Sequence, residues 1–277
     1  MSKLRYGRIA YVNVVPVETA FDVGAVTRNV EVFGAVPTQL NAALSEGRLD
    51  AGAISAAHFV AHQDRFVRLA DLCIAADGPV RTVLFVSPKP PALLGDATVA
   101  VTSHSASGRA LLAALLSGFR DVRPTYEVVD DALAAARAGR PALVIGDDAL
   151  VARAELPQAQ VHDLGEAWRA WTGLPFVFAV WAVRREALAA HPAEVADLTA
   201  ALVAARAWGE QNRAAVIDAA VAAKPYHRAL YEDYFTRLSY RLDERAEQGL
   251  ERFSTLFMPP ARDLHGDSEG EGVRVAR

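Results

Sequence analysis

From the first residue to about residue 150, short apolar segments alternate with Ala/Leu-rich stretches, and this alternation limits the chain to sheets with helices on their faces. Residues 8–12 read as a first strand, followed by the turn Asn13-Val-Val-Pro16 into a helix. Residues 30–33 and 49–54 read as strands around a helix at 37–47, which has Pro37 at its start and Gly47 at its stop. Residues 82–86 are a strongly apolar strand closed by Ser87-Pro-Lys-Pro-Pro91, a proline cluster suited to a hinge. Strands are expected again at 98–101, 125–129 and 142–145, with helices at 105–116 and 130–138, the latter capped by Asp130. The long apolar run 175–183 can carry the chain back to the first lobe. Beyond Pro192 the pattern is helical, at 192–211, 213–223, 226–238 and 243–257. The expected organisation is a two-lobed α/β fold. One lobe is discontinuous, 1–87 plus 184–261; the other is 88–183; a polar, Gly-rich tail at 262–277 is expected to be disordered.

Bulk properties remove several function classes. The formal net charge of −4 lacks the basic excess of a nucleic-acid binder. A single cysteine, Cys73, excludes an internal disulfide and a Cys-rich zinc site. No apolar run approaches the ~20 residues of a membrane span, and no secretory h-region precedes the first strand, so a cytoplasmic protein is expected. His58 and His62 stand four apart but lack a third ligand, and read as surface histidines. No nucleotide-binding glycine motif, zinc-protease motif or serine-hydrolase elbow is present. Neither a cofactor nor a metal is expected.

In open α/β sheets, ligands bind beyond the carboxyl ends of strands, where helices begin. That rule picks out Asn13, Ser55, Thr82, the turn Thr102-Ser-His-Ser-Ala-Ser-Gly108 and the pair Gly146 and Asp147. In the turn, Ser103, Ser105, Ala106 and Ser107 offer hydroxyls and backbone N–H groups to an anion; plain N-capping by Ser103 or Ser105 accounts for one of them. Asn13 suits either a substrate hydrogen bond or an Asx turn. Gly146 allows close backbone approach, while Asp147 or Asp148 suits an N-cap. Trp171 has a ring that can pack on an unsaturated ligand or fill an aromatic core.

An ordered set of segments carries a family resemblance: Arg8-Ile-Ala-Tyr-Val-Asn-Val-Val-Pro16, the segment 40–55, Asp77-Gly-Pro-Val-Arg-Thr-Val-Leu-Phe-Val-Ser87, the serine turn, Leu143-Val-Ile-Gly-Asp-Asp-Ala149, and the block 163–181 with its Trp-Thr-Gly-Leu-Pro-Phe core. Together they resemble the chorismate dehydratases of the futalosine route to menaquinone, from about residue 5 to residue 257. The resemblance implies a type II periplasmic-binding-protein-like fold with a central cleft and a carbon–oxygen lyase acting on dianionic chorismate. It also implies a working asparagine in the first loop, at Asn13, and a working hydroxyl at Thr82, where the family pattern has Ser. The turn departs from the usual Thr-Ser at Ser107-Gly108. The proton acceptor is either the substrate's own enolpyruvyl carboxylate or Asp147. The sister 1,4-dihydroxy-6-naphthoate synthase and a non-catalytic small-anion-binding protein are the alternatives. A monomer and a homodimer are equally compatible with the sequence.

Overall fold

A computed structural model describes residues 3–257; the expected tail at 262–277 lies outside them. Eleven strands occur: β1 (Leu4–Ile9), β2 (Val30–Ala35), β3 (Ala51–Ser55), β4 (Phe66–Ala76), β5 (Val83–Val86), β6 (Thr98–Thr102), β7 (Thr125–Val129), β8 (Ala142–Ile145), β9 (Val161–Asp163), β10 (Phe176–Arg184) and β11 (Ser239–Arg241). They form two mixed sheets, in the orders β11-β4-β10-β3-β1-β2 and β7-β6-β8-β5-β9.

The chain divides into two units. Of the described residues, the first takes in those up to Ser55, His62–Ala75 and Ala179–Asp243; the second takes in Ala56–Ala61, Ala76–Phe178 and those from Glu244 to Phe257. The strand at Val83–Val86, which the proline cluster suggested would close the first lobe, pairs with β8 and β9 in the second sheet. The physical reason is that Leu84 and Val86 fill the same apolar cluster as Ala100, Ala142 and Val144. Helix Glu244–Leu256 also belongs to the second unit, where Gly249 packs against the backbone of Pro175.

In the first unit, β1 runs parallel to β2 and β3, while β10 runs antiparallel to β3. Leu4, Tyr6 and Ile9 point into the core, with Leu44, Ile54, Leu72 and Trp181. The first strand therefore lies earlier than 8–12. Val12, expected to end it, instead opens the 3₁₀ turn Val12–Val14, which leads into helix Val15–Asp22. Pro16 sits in the first turn of that helix, where its missing N–H costs nothing. In the second unit, β6 runs parallel to β7 and β8, and β5 runs antiparallel to β8. Helix Ala132–Arg137 is capped by Asp131 rather than Asp130: its carboxylate accepts from the Ala134 N–H at 2.7 Å. Among the described residues, no helix is long and apolar enough to cross a membrane.

Candidate active site

In the first unit, Asn13 and Ser55 follow the carboxyl ends of the parallel strands β1 and β3, so both lie at one edge of the sheet. The two differ in how they are held. Ser55 is buried, its hydroxyl accepting from Asn41 Nδ2 at 2.9 Å while its N–H donates to Asn41 Oδ1 at 3.1 Å. Asn13 is half-buried, and among the described residues its Oδ1 is shielded from solvent without a hydrogen-bond donor. A buried amide oxygen left this way costs about 1–3 kcal/mol. Its main-chain carbonyl accepts from Tyr240 Oη at 2.8 Å. Beneath this edge, Trp181 Nε1 donates to Tyr6 Oη, which donates to the buried carboxylate of Glu18; Arg28 neutralises that carboxylate at 2.7 Å.

In the second unit, β6, β8 and β9 end where β5 begins, because β5 runs antiparallel to β8 and β9. This register brings Thr82 beside Gly146: the Gly146 N–H donates to the Thr82 carbonyl at 2.8 Å. Gly146 opens helix Gly146–Glu155 at φ +62°, a conformation that strains a side-chain-bearing residue. The helix has no side-chain cap, so neither Asp147 nor Asp148 takes the N-cap role expected of one of them. Asp147 is half-buried in the first turn, and burial raises the exposed neighbour Asp148 above the usual carboxylate range, with Asp131 adding to it.

The serine turn meets the same strand edge. Ser105 caps helix Ala106–Ala114, accepting from the Gly108 N–H at 3.0 Å. Ser107 is buried and its hydroxyl is fully engaged: it donates to the Phe178 carbonyl at 2.8 Å and accepts from the Ala57 N–H at 3.1 Å. Ser103 is exposed, and Ala106 is half-buried at the first helical position. Of the turn's hydroxyls, that of Ser103 is exposed, while those of Ser105 and Ser107 hold the turn in shape. A side chain at Gly108 would press on Ser105 and Val83, so the turn packs against the start of β5 next to Thr82. Arg109, one turn further on, has its Nε buried without an acceptor among the described residues, and burial lowers its pKa.

The residue that organises this edge was not singled out beforehand. Asp163, the last residue of β9, is buried and accepts four main-chain hydrogen bonds. Oδ1 takes the N–H groups of Val80, Gly165 and Glu166, at 3.0, 3.0 and 3.2 Å; Oδ2 takes that of Arg81, at 2.7 Å. Two of the bonds cap helix Leu164–Thr172, and two fix the turn that leads into Thr82, where Arg81 sits at φ +71°. Asp163-Leu-Gly-Glu166 has the spacing of a capping box, a signal present in the sequence.

Trp171 lies on the same helix: its ring stacks on Phe119 at 5.7 Å and meets Trp168 edge-on at 5.9 Å. Phe119 ends a π-helical turn, Leu115–Phe119, at the end of the helix expected to run to 116. The structure therefore gives Trp171 an aromatic packing role. His58 is buried rather than on the surface, and His62 packs edge-on against Phe66. Among the described residues, no cluster of three His, Cys, Asp or Glu side chains is placed to hold a metal ion.

A family model described as menaquinone biosynthesis matches residues 4–258. A chorismate dehydratase of Thermus thermophilus is 35% identical over 239 residues, covering 80% of this chain and 85% of that protein. Among solved structures, a protein from Archaeoglobus fulgidus superposes with a TM-score of 0.71 at 17% identity, covering 91% of this chain and 95% of that one. The periplasmic aliphatic sulphonate binding protein of Escherichia coli superposes with a TM-score of 0.61 at 19% identity, covering 93% and 92%. At these identities the structural likeness speaks for the fold alone, which is periplasmic-binding-protein-like.

Proposed function

We propose, from the premise that the chain belongs to the menaquinone biosynthesis family, that it is a chorismate dehydratase, a carbon–oxygen lyase that converts chorismate to 3-[(1-carboxyvinyl)oxy]benzoate and water. The observation that carries this reading is the 35% identity to a chorismate dehydratase along most of both chains. The local geometry is consistent with it: Ser103 presents an exposed hydroxyl that can donate to a carboxylate, and the unpaired Asn13 Oδ1 can accept from a substrate hydroxyl.

The chemistry asks little of the protein. The proton on C3 is acidified because it is vinylogous to the ring carboxylate. When it leaves, its electron pair forms the C3–C4 π bond as the C4 hydroxyl departs, and the ring becomes aromatic. The proton and hydroxide together make the water released. In our reading the enolpyruvyl carboxylate takes the proton, and Asn13 and Thr82 hold the reacting groups in line. Ser103 and the N–H groups of the serine turn stabilise carboxylate charge at a helix N-terminus. Asp147 is the competing proton acceptor; Asp147→Asn separates the two readings by abolishing turnover only in the second case.

Incubation of the purified chain with chorismate tests the proposal, with the aromatic product identified by mass. Asn13→Ala is expected to lower turnover ~10²-fold or more while the unfolding midpoint does not fall, on the scale of losing one oriented polar group at a reacting centre. Full activity in that variant refutes the role of Asn13, and no product from the unsubstituted chain refutes the reaction.

A further inference from the structure

We propose that Tyr240 is a positioning residue for Asn13, holding it through the main chain. The inference rests on the reading that Asn13 works on chorismate.

Asn13 lies in the 3₁₀ turn Val12–Val14, ahead of helix Val15–Asp22. Pro16, three residues on, has no N–H to donate back to the Asn13 carbonyl. The partner comes instead from 227 residues away: Tyr240 Oη donates to that carbonyl at 2.8 Å. Tyr240 is itself rigidly placed. Its neighbours Ser239 and Arg241 face solvent and pair with Ala75 and Leu72 of β4, while its own ring points inward. The Leu242 N–H donates to the Asp71 carbonyl at 2.7 Å, anchoring the far side of the strand. The phenol stays a donor across the working pH range, since burial first, and then Tyr234 and Cys73, push its ionisation well up.

A second element closes on the same loop. Helix Pro192–Gln211 presents Gly209 to Pro16 so closely that a Cβ there would lie inside the contact radius of the Pro16 carbonyl oxygen. The loop is held at one end by a hydroxyl and at the other by backbone contact. By contrast, the Asn13 side-chain oxygen accepts no hydrogen bond that would fix its direction among the described residues. The direction of the amide is therefore set by the main chain that Tyr240 and Gly209 hold.

Tyr240→Phe tests the inference in the full-length chain. The expected result is a kcat reduced ~10-fold or more with KM within ~3-fold, the pattern of a displaced reacting group. Amide hydrogen exchange is expected to rise in residues 12–18 and to stay unchanged in β6. Replacement by para-fluorophenylalanine nearly keeps the ring volume without the donor and is expected to repeat both effects, so the test survives if the gap left by Phe prevents folding. Para-aminophenylalanine restores a donor and is expected to restore kcat. A kcat within twofold of the unsubstituted chain, or exchange that rises across the whole unit rather than in residues 12–18, overturns the inference. If the unsubstituted chain makes no aromatic product, the dehydratase reading fails, and the exchange result still decides whether Tyr240 holds the turn.

Discussion

Replacing Asp163 by Ala removes one carboxylate and leaves four main-chain N–H groups without their acceptor. The loss can be worked from the position of each donor. Those of Gly165 and Glu166 constitute the N-cap of helix Leu164–Thr172, and losing a cap costs about 1 kcal/mol. The Val80 and Arg81 donors lie in a buried or partly buried turn, and each costs about 1–2 kcal/mol when left unpaired. Arg81 adds to this because its left-handed backbone is held only while the turn is held. The expected loss is about 3–5 kcal/mol, equivalent to a fall in Tm of roughly 6–20 °C. Asp131→Ala is the matched comparison: it too is an aspartate N-cap, with one bond to Ala134 in an exposed setting, and should cost about 1 kcal/mol. Urea unfolding of the two variants, followed by tryptophan fluorescence, reads the difference; Trp168 and Trp171 lie on the helix that Asp163 caps. Equal losses in the two variants would refute the argument that this carboxylate holds the approach to Thr82 as well as a helix end.

Two further outcomes are expected. Asp50 accepts hydrogen bonds from the Arg5 main chain and guanidinium at 2.6–2.9 Å; burial opposes its charge, but Arg5 and Arg184 outweigh this and hold the carboxyl below its usual range. A depressed folded-state pKa contributes stability above the unfolded value near 4 that is lost as pH falls through the folded value. Asp50→Asn should therefore cost about 1 kcal/mol at pH 7, since Arg5 is partly exposed, and almost nothing near pH 2; a pH-independent difference in unfolding midpoints would contradict this. Cys73 is buried in β4, and burial, followed by the charge of Asp243, pushes its thiol up. Labelling by a thiol reagent at neutral pH should proceed only as fast as the first unit opens, and rapid stoichiometric labelling of the native chain would show the opposite.

How much of this was legible depended on whether the signal was local. The strand Ala142–Ile145 and helices Pro192–Gln211 and Arg213–Ala223 are marked by uniform apolar runs or by Pro and breaker residues at their ends, and they lie where the sequence places them. β1 was displaced because Leu4, Tyr6 and Ile9 are separated by Arg5, Gly7 and Arg8, whereas the more uniformly apolar Ile9-Ala-Tyr-Val12 leaves the strand after Ile9 and enters a turn. β4 escaped notice because its first half carries Arg68 and Asp71 on a solvent-facing side. The rule that ligands meet strand ends picks out Asn13, Ser55, Thr82, the serine turn, Gly146 and Asp147 as candidates. It could not tell which hydroxyls the fold would consume, as it does those of Ser55, Ser105 and Ser107. That depends on partners such as Asn41 and Phe178, set by tertiary register. Tyr240 had no local signal at all, since its contact closes a loop of 227 residues.

The place of β10 in the first sheet has a consequence for how the chain is made. β10 sits between β4 and β3, although it is synthesised more than a hundred residues after either begins. Until Phe176–Arg184 leaves the ribosome, the strands already present lack the one that joins them, and their apolar faces have no complete layer to bury against. The second sheet, by contrast, is contained within Val83–Asp163 and has all its strands sooner. The sheet begun first is therefore the sheet completed last, and a nascent chain stalled between Asp163 and Phe176 carries the exposed, aggregation-prone surface in its N-terminal quarter.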